Sequence, residues 1–248
     1  MYYNKSRHKL DSLRSKIWFQ VAKKFINSPL EFWNTFPSHP LPGADDPNTP
    51  IDVDALESEF RSVFDELDDV QKYNMQRTIS TMRNGADALI DESKLSFMED
   101  KNGNSVLQTE VGQFYTDQLA TMIANKTVCG PYDPDKVPVK GLRINSLFAV
   151  NQSDKYRPIL NLSKPDGNSY NEAVIPSKMR KVQMSTPRKV ADTLYSTGKD
   201  SVISKVDHVS AYKLIPVKRG QFYLQGFKRL GKVFIEVRLI FGAKSSVP

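Results

Sequence analysis

The sequence predicts an α+β chain, with helices first and a sheet after them. Two observations carry that prediction. As far as residue 124, apolar residues recur at spacings of three and four, the period of one helix face. From residue 139 the pattern changes to short alternating runs separated by turn residues, the period of strands. Five prolines (Pro37, Pro40, Pro42, Pro47 and Pro50) interrupt the helical part. Each fixes φ and lacks a backbone donor, so 36–50 reads as a linker or extended connection and the best boundary in the chain. The expected division is a basic helical segment 1–35, the Pro-rich stretch 36–50, a helical region 51–127 and a sheet-bearing region 128–248.

Residues 6–26 read as a helix, with Leu10, Leu13, Ile17, Val21 and Phe25 along one face and Lys5, Arg7, Lys9, Arg14, Lys16, Lys23 and Lys24 around it. Such a helix is either a solvated amphipathic surface or an electrostatic contact to nucleic acid. A second helix is predicted over 52–83, with Leu56, Phe60, Val63, Leu67 and Val70 as its stripe and Asp52 or Asp54 as its cap. Acidic residues crowd its front half, opposite in sign to the first helix. A third helix is predicted over 106–124, with Gly130-Pro131 as its stop.

The strands follow. Leu142–Val150 and Arg157–Leu162 are the first two, and Pro165-Asp166-Gly167-Asn168 is a turn. Thr186, Pro187 and Gly198 mark the cap, first residue and end of another helix. Ser201–Val206 reads as a strand ending at Asp207. Phe222–Phe227 and Lys232–Val237 read as a hairpin about Leu230-Gly231.

Composition narrows the partners. The formal charge is +7, from 35 basic and 28 acidic side chains, which favours a polyanion such as nucleic acid. Cys129 is the single cysteine, so no disulfide forms within the chain, as expected of a reducing compartment. The start lacks the apolar run of a signal peptide, and no stretch of 18 apolar residues exists, so the expectation is an intracellular protein of cytoplasm or nucleus without a membrane span.

Asp207 is the first candidate for chemistry. A carboxylate at a strand end facing a cleft suits Mg²⁺, which takes hard oxygen ligands and keeps substrate phosphates in its shell. The plain alternative is a turn former or helix cap. Arg157 is equally readable as a surface ion-pair partner, Tyr212 as core filler and Gly242 as a turn glycine.

Taken together, four segments run in one order: Tyr156-Arg157-Pro158-Ile159-Leu160-Asn161-Leu162-Ser163; Ser204-Lys205-Val206-Asp207 with Ala211-Tyr212; Leu224-Gln225-Gly226-Phe227; and Phe241-Gly242 with Ser245-Ser246. This order and spacing resembles the first half of a retroelement reverse transcriptase, nearest to the DIRS-like retrotransposons that carry a tyrosine recombinase. The resemblance covers residues 128–248. It implies the fingers and an incomplete palm of a right-hand polymerase built on an antiparallel sheet. It implies RNA-directed DNA polymerase activity in the full-length parent, with a template-primer of RNA or DNA and deoxynucleoside triphosphates as partners. It also implies two Mg²⁺ ions, with Mn²⁺ as the alternative ion.

Residue by residue, the resemblance makes Asp207 the first metal-binding aspartate and adds the backbone carbonyl of His208. It places Ser210 and Ala211 along the triphosphate and makes Tyr212 the gate against a ribose 2′-hydroxyl. Arg157 stacks on the incoming base and contacts its phosphates, while Phe241 and Gly242 pack near the sugar and template base. Three positions depart from the pattern. Asn161 stands where the family has an aspartate, Asn151 where it has a lysine that Lys155 would replace, and Ile240 where it has a proline. The second metal-binding motif, an aromatic, any residue and two aspartates, would follow Pro248. Asp45-Asp46 lies between prolines without an aromatic two places before it, and Asp68-Asp69 sits in a helical pattern, so neither replaces it. The expectation is an inactive fragment with an open palm edge prone to self-association. The alternative is a non-catalytic nucleic-acid-binding protein derived from such a fragment.

Overall fold

The computed structural model describes residues 39–96, 110–152, 155–179, 185–198, 202–204 and 210–246. The expected basic helix over 6–26, together with Asp207 and His208, lies outside these residues.

The single helix expected over 52–83 is two. α1 (Val53–Ser62) is capped by Asp52, whose carboxylate accepts from the Ala55 amide at 2.9 Å. A short 3-10 turn over Phe64–Glu66 follows, and α2 (Asp69–Asn84) begins afresh. The break has a local cause. Asp68 accepts from the Gln71 amide at 2.7 Å, and the Gln71 side chain accepts from the Asp68 amide at 3.0 Å. This reciprocal box satisfies two otherwise unpaired amides and so favours a new helix start here. The two helices run antiparallel, tied by Arg83 to Asp54 and Glu57 at 2.6 Å each.

α3 (Glu110–Ala124) buries Tyr115, Leu119, Ala120 and Ile123. Gly130-Pro131 does not stop it. Lys126, at φ 56°, turns the chain, with its amide on the Ile123 carbonyl and the Thr127 amide on the Met122 carbonyl. That is the left-handed helix end that closes orphan carbonyls. Gly130-Pro131 instead lies inside β1 (Val128–Tyr132), where the ladder register shifts.

β2 (Ile144–Gln152) and β3 (Lys155–Asn161) form an antiparallel hairpin of seven residue pairs. After the short α4 (Tyr170–Ala173) comes α5 (Pro187–Thr197), with Thr186 as cap and Gly198 past its end, as the sequence predicts. β4 (Gly226–Arg229) and β5 (Lys232–Glu236) are joined by Leu230 and Gly231, both at positive φ (48° and 78°), the two-residue turn that matches strand twist.

The five strands lie in the order β1-β5-β4-β2-β3. The expected antiparallel sheet is corrected in one place: β2 and β4 pair in parallel, at Ile144 with Gly226 and Asn145 with Phe227. Only the start of β2 reaches the sheet, so the rest of the β2–β3 hairpin extends past it as a two-stranded ribbon. The strand expected over 201–206 is not formed in its described part. Residues 202–204 make no ladder pair, and Val202 and Ile203 are 94% and 66% exposed. An apolar run becomes a strand only where another strand offers its free backbone groups, and none does so here among the described residues.

Two apolar layers cover the sheet. Phe227 and Phe234 face α3, stacked at 5.4 Å between ring centroids, with Tyr115 edge-on to Phe227 at 6.4 Å. Val233, Ile235 and Val237 alternate onto the other face, with Cys129, Leu142, Ile144 and Phe222. From His39 onward the Pro-rich stretch lies along this body as an extended strap. His39 exchanges backbone hydrogen bonds with Gly130 at 2.9 and 3.2 Å, Asn48 donates to the Val237 carbonyl at 2.8 Å, and Arg219 holds the Pro42 and Asp46 carbonyls.

Gly226 sits where the parallel pair closes. A Cβ there would lie 2.6 Å from Leu142 Cγ and 2.7 Å from the Arg143 carbonyl oxygen. Gly226→Ala is expected to destabilise the fold by about 1–3 kcal/mol through overpacking, read as a lower urea midpoint with an unchanged slope.

Candidate functional site

The site begins with a backbone register. Residues 215–217 run antiparallel to 237–239: the Leu239 amide donates to the Ile215 carbonyl at 2.9 Å, and the Val217 amide donates to the Val237 carbonyl at 3.2 Å. Beyond that ladder both segments turn at the same end, one in the 3-10 turn over Ala211–Leu214 and the other at Phe241-Gly242. Tyr212 and Phe241 accordingly meet edge to face, with ring centroids 6.1 Å apart. Such a pair contributes about 0.5–1.5 kcal/mol beyond its buried area. Phe241 remains 58% exposed, whereas Tyr212 is partly buried and packs against the second apolar layer, as a core-filling residue would.

Buried polar groups hold the turn that carries Tyr212. It is a 3-10 turn over Ala211–Leu214, preceded by Ser210 in the left-handed conformation (φ 55°, ψ 47°). A non-glycine residue there stores of order 1–2 kcal/mol of strain. Directly after Tyr212, the Lys213 ammonium donates to the Glu236 carboxylate on β5, and Arg238 donates to the Lys213 carbonyl at 3.3 Å. Arg238 also donates to Asn48 Oδ1 at 3.2 Å, and Gln225 donates to the Glu236 carbonyl at 3.0 Å. Glu236, Arg238, Gln225 and Asn48 are all buried. Burial pushes the Glu236 carboxyl above its ordinary value, against the pull of the Lys213 ammonium.

A second group joins the Phe241-Gly242 turn to the end of β3. Gly242 (φ 97°) lies against Ile159 and Leu160, to which a Cβ would come within 3.9 Å. Asn171 bridges the two segments: its Nδ2 donates to Ser163 Oγ at 2.8 Å and to the Gly242 carbonyl at 2.9 Å, and its Oδ1 accepts from the Lys244 amide at 2.8 Å. Tyr170 and Ser245 share a hydroxyl hydrogen bond at 2.8 Å. The short helix bearing Tyr170 and Asn171 is started by a Ser169–Glu172 capping box. The Ser169 hydroxyl, with the Ser169 and Gly167 amides, draws the Glu172 carboxyl down to about 2.

The sequence-predicted residues are therefore distributed as follows. Ser210, Ala211, Tyr212, Phe241 and Gly242 come together. Arg157 and Lys155 lie on β3, paired in register with Val150 and Gln152, and Arg157 is two positions from the Ile159 that touches Gly242. Asp207 and the His208 carbonyl lie outside the described residues. Asn161 accepts from the Ser163 amide at 3.2 Å and so serves the turn. Asp46 accepts from the Asn48 amide and Asp68 caps α2, so both carboxylates have local partners. Sequence reasoning missed Asn171, Lys213, Glu236 and Arg238. Only Asn171 had a local signal, the Ser169-x-x-Glu172 box around it. Cys129 is buried, with its thiol pushed up to about 12.

Comparison with protein-family models, curated proteins and solved structures finds no match. Among the described residues, no three His, Cys, Asp or Glu side chains gather in a metal-holding group. No described helix is long and apolar enough to cross a membrane.

The Lys213–Glu236 pair makes a pH-dependent prediction. Lys213→Met leaves Glu236 buried without its counter-charge and is expected to cost about 3–5 kcal/mol at pH 8. A carboxyl whose folded pKa is raised binds its proton more readily folded than unfolded. Its ionisation therefore opposes folding as pH rises above the ordinary value near 4.5. The cost of Lys213→Met should accordingly be smaller at pH 5 than at pH 8, and Glu236→Gln should reduce that difference. Urea unfolding at the two pH values checks both.

Proposed function

We propose that this chain is a part of a retroelement-type reverse transcriptase that handles a template-primer and a deoxynucleoside triphosphate. The observation that carries the reading is the meeting of Tyr212 and Phe241. They are distant in sequence and touch edge to face at 6.1 Å. Gly242, in the turn with Phe241, lies against Ile159 of β3, two positions from Arg157. These are residues that the resemblance assigns to the sugar, the template base and the phosphates, and the Tyr212–Phe241 contact supports the reading.

The residues divide the work by chemistry. The Tyr212 ring closes the space that a ribose 2′-oxygen would need. Phe241 supports that ring from its edge and offers its own exposed face to the sugar. The planar guanidinium of Arg157 suits both a base face and phosphate oxygens. The Asp207 carboxylate and the His208 carbonyl are hard oxygen donors that fit Mg²⁺, which when bound neutralises charge on phosphate oxygens. The sequence has no aromatic-x-Asp-Asp to complete a two-ion site, so selection of a nucleotide is the property to measure.

A second reading, a non-catalytic nucleic-acid-binding protein, is favoured by the charge of +7. One experiment separates them. The full chain is mixed with an RNA template, an annealed DNA primer and Mg²⁺, then photolabelled with each of the four deoxynucleotides and with the ribonucleotides. The expected result is labelling by the template-complementary deoxynucleotide, with the ribonucleotide excluded. Tyr212→Ala should narrow the preference about tenfold or more, as loss of a shape-based exclusion does. Salt-sensitive binding of the duplex without template-directed labelling would overturn the polymerase reading and leave the binding one.

A further inference from the structure

Among the described residues, no third element packs over the helical pair α1–α2. Val53 is its one buried residue. Leu56, Phe60, Phe64, Leu67, Met75 and Ile79 are only partly covered, and Val63, Val70 and Tyr73 are 39%, 68% and 53% exposed. Phe60, Phe64, Met75 and Ile79 line a cavity of about 410 Å³ bordered by Glu57, Asp65, Arg61 and Gln76. A helix stripe of this kind is stable when it is buried against another element. Exposed apolar side chains gathered on one face and rimmed by charged residues are a surface suited to docking.

We propose that residues 6–26 of the same chain occupy this groove as the third helix. Charge complementarity is the first argument. Residues 52–69 carry eight carboxylates against Arg61 alone, whereas residues 6–26 carry six lysines and arginines against Asp11 alone. Four of the eight carboxylates have work already, since Asp52 and Asp68 cap helices and Asp54 and Glu57 hold arginines. The remaining four (Glu59, Asp65, Glu66 and Asp69) are exposed.

Pattern and length agree with the charges. Leu10, Leu13, Ile17, Val21 and Phe25 draw a stripe at the spacing that packs between two helices. Twenty-one helical residues are about 31 Å long, enough to cover the roughly 24 Å of α2. The connection is long enough as well. Residues 27–38 lead to His39, which is fixed to Gly130, and twelve residues span up to about 40 Å when extended. The apolar stripe faces the groove in this arrangement, and the lysines and arginines beside it meet the acidic edges. The proposal does not depend on the polymerase reading.

Cross-linking in the full chain tests it. Cys129 is 1% exposed with its thiol raised to about 12, so it does not compete for a maleimide. Ile17→Cys combined with Ile79→Cys, treated with a short bismaleimide, is expected to give an intramolecular link identified by peptide mass spectrometry. Ile17→Cys combined with Tyr195→Cys should give none. Hydrogen exchange on the full-length Leu13→Asp, Ile17→Asp double variant supplies the second readout. Exchange over residues 53–84 should accelerate about tenfold while residues 226–236 stay protected, which shows the sheet intact. Links between molecules only would assign the groove to a second copy and overturn the proposal. No 17–79 link, with exchange unchanged by the double variant, would overturn it also.

Discussion

Phe227 and Phe234 are the contact on which the rest of the structure depends. They are directly opposed on β4 and β5, stacked at 5.4 Å, with Tyr115 of α3 edge-on beneath. Everything described on the sheet is placed relative to that stack. α3 is placed because Tyr115 must lie against it. β1 and β4 are placed because they pair with the two edges of β5. β2 follows because Gly226 has no side chain to keep Leu142 and the Arg143 carbonyl at a distance. The stack is fully buried, and truncating either ring would remove several kcal/mol of packing.

The candidate site draws on the same hairpin, through polar rather than apolar groups. Glu236 ends β5, Arg238 follows two residues later, and Gln225 precedes β4. Their side chains are buried and reach Lys213, Asn48 and each other's carbonyls. A buried carboxylate is a liability without a partner, and Lys213 can satisfy Glu236 only if the 3-10 turn stands where it does. Tyr212, partly buried beneath the exposed Phe241, thus sits on a turn whose position is fixed by these buried groups.

The parts of this fold legible in the sequence are those with a local cause. Thr186, Pro187 and Gly198 bound α5, and Leu230-Gly231 makes the β4–β5 turn, because cap and turn geometry are decided within four residues. The break before α2 was equally local, since Asp68 and Gln71 form a box, but an unbroken apolar stripe concealed it. The parallel pairing of β2 with β4 was not legible. It depends on two segments about eighty residues apart meeting at Gly226, and nothing in either segment encodes the register. The strand expected at 201–206 shows the converse, an apolar run that had the composition of a strand and found no partner across residues 202–204. In the candidate site, the aromatic and glycine positions were visible from their order along the chain. Lys213, Glu236, Arg238 and Asn171 were not, because their roles arise only after distant segments are brought together.

Local legibility and tertiary anchoring are therefore independent properties of an element. α5 was bounded to the residue by its sequence, yet none of its side chains is buried, and Val190 and Tyr195 are 46% and 93% exposed. β5 has no cap or signature of its own beyond alternation, yet four of its five residues are buried. Caps and turns decide where a segment starts and stops. They say nothing of whether another element will cover it, because that is settled by surfaces elsewhere in the chain. α1 and α2 are the sharpest case. Their caps are complete, their ion pairs to Arg83 join them, and one apolar face is still left open to whatever surface matches its charge and width.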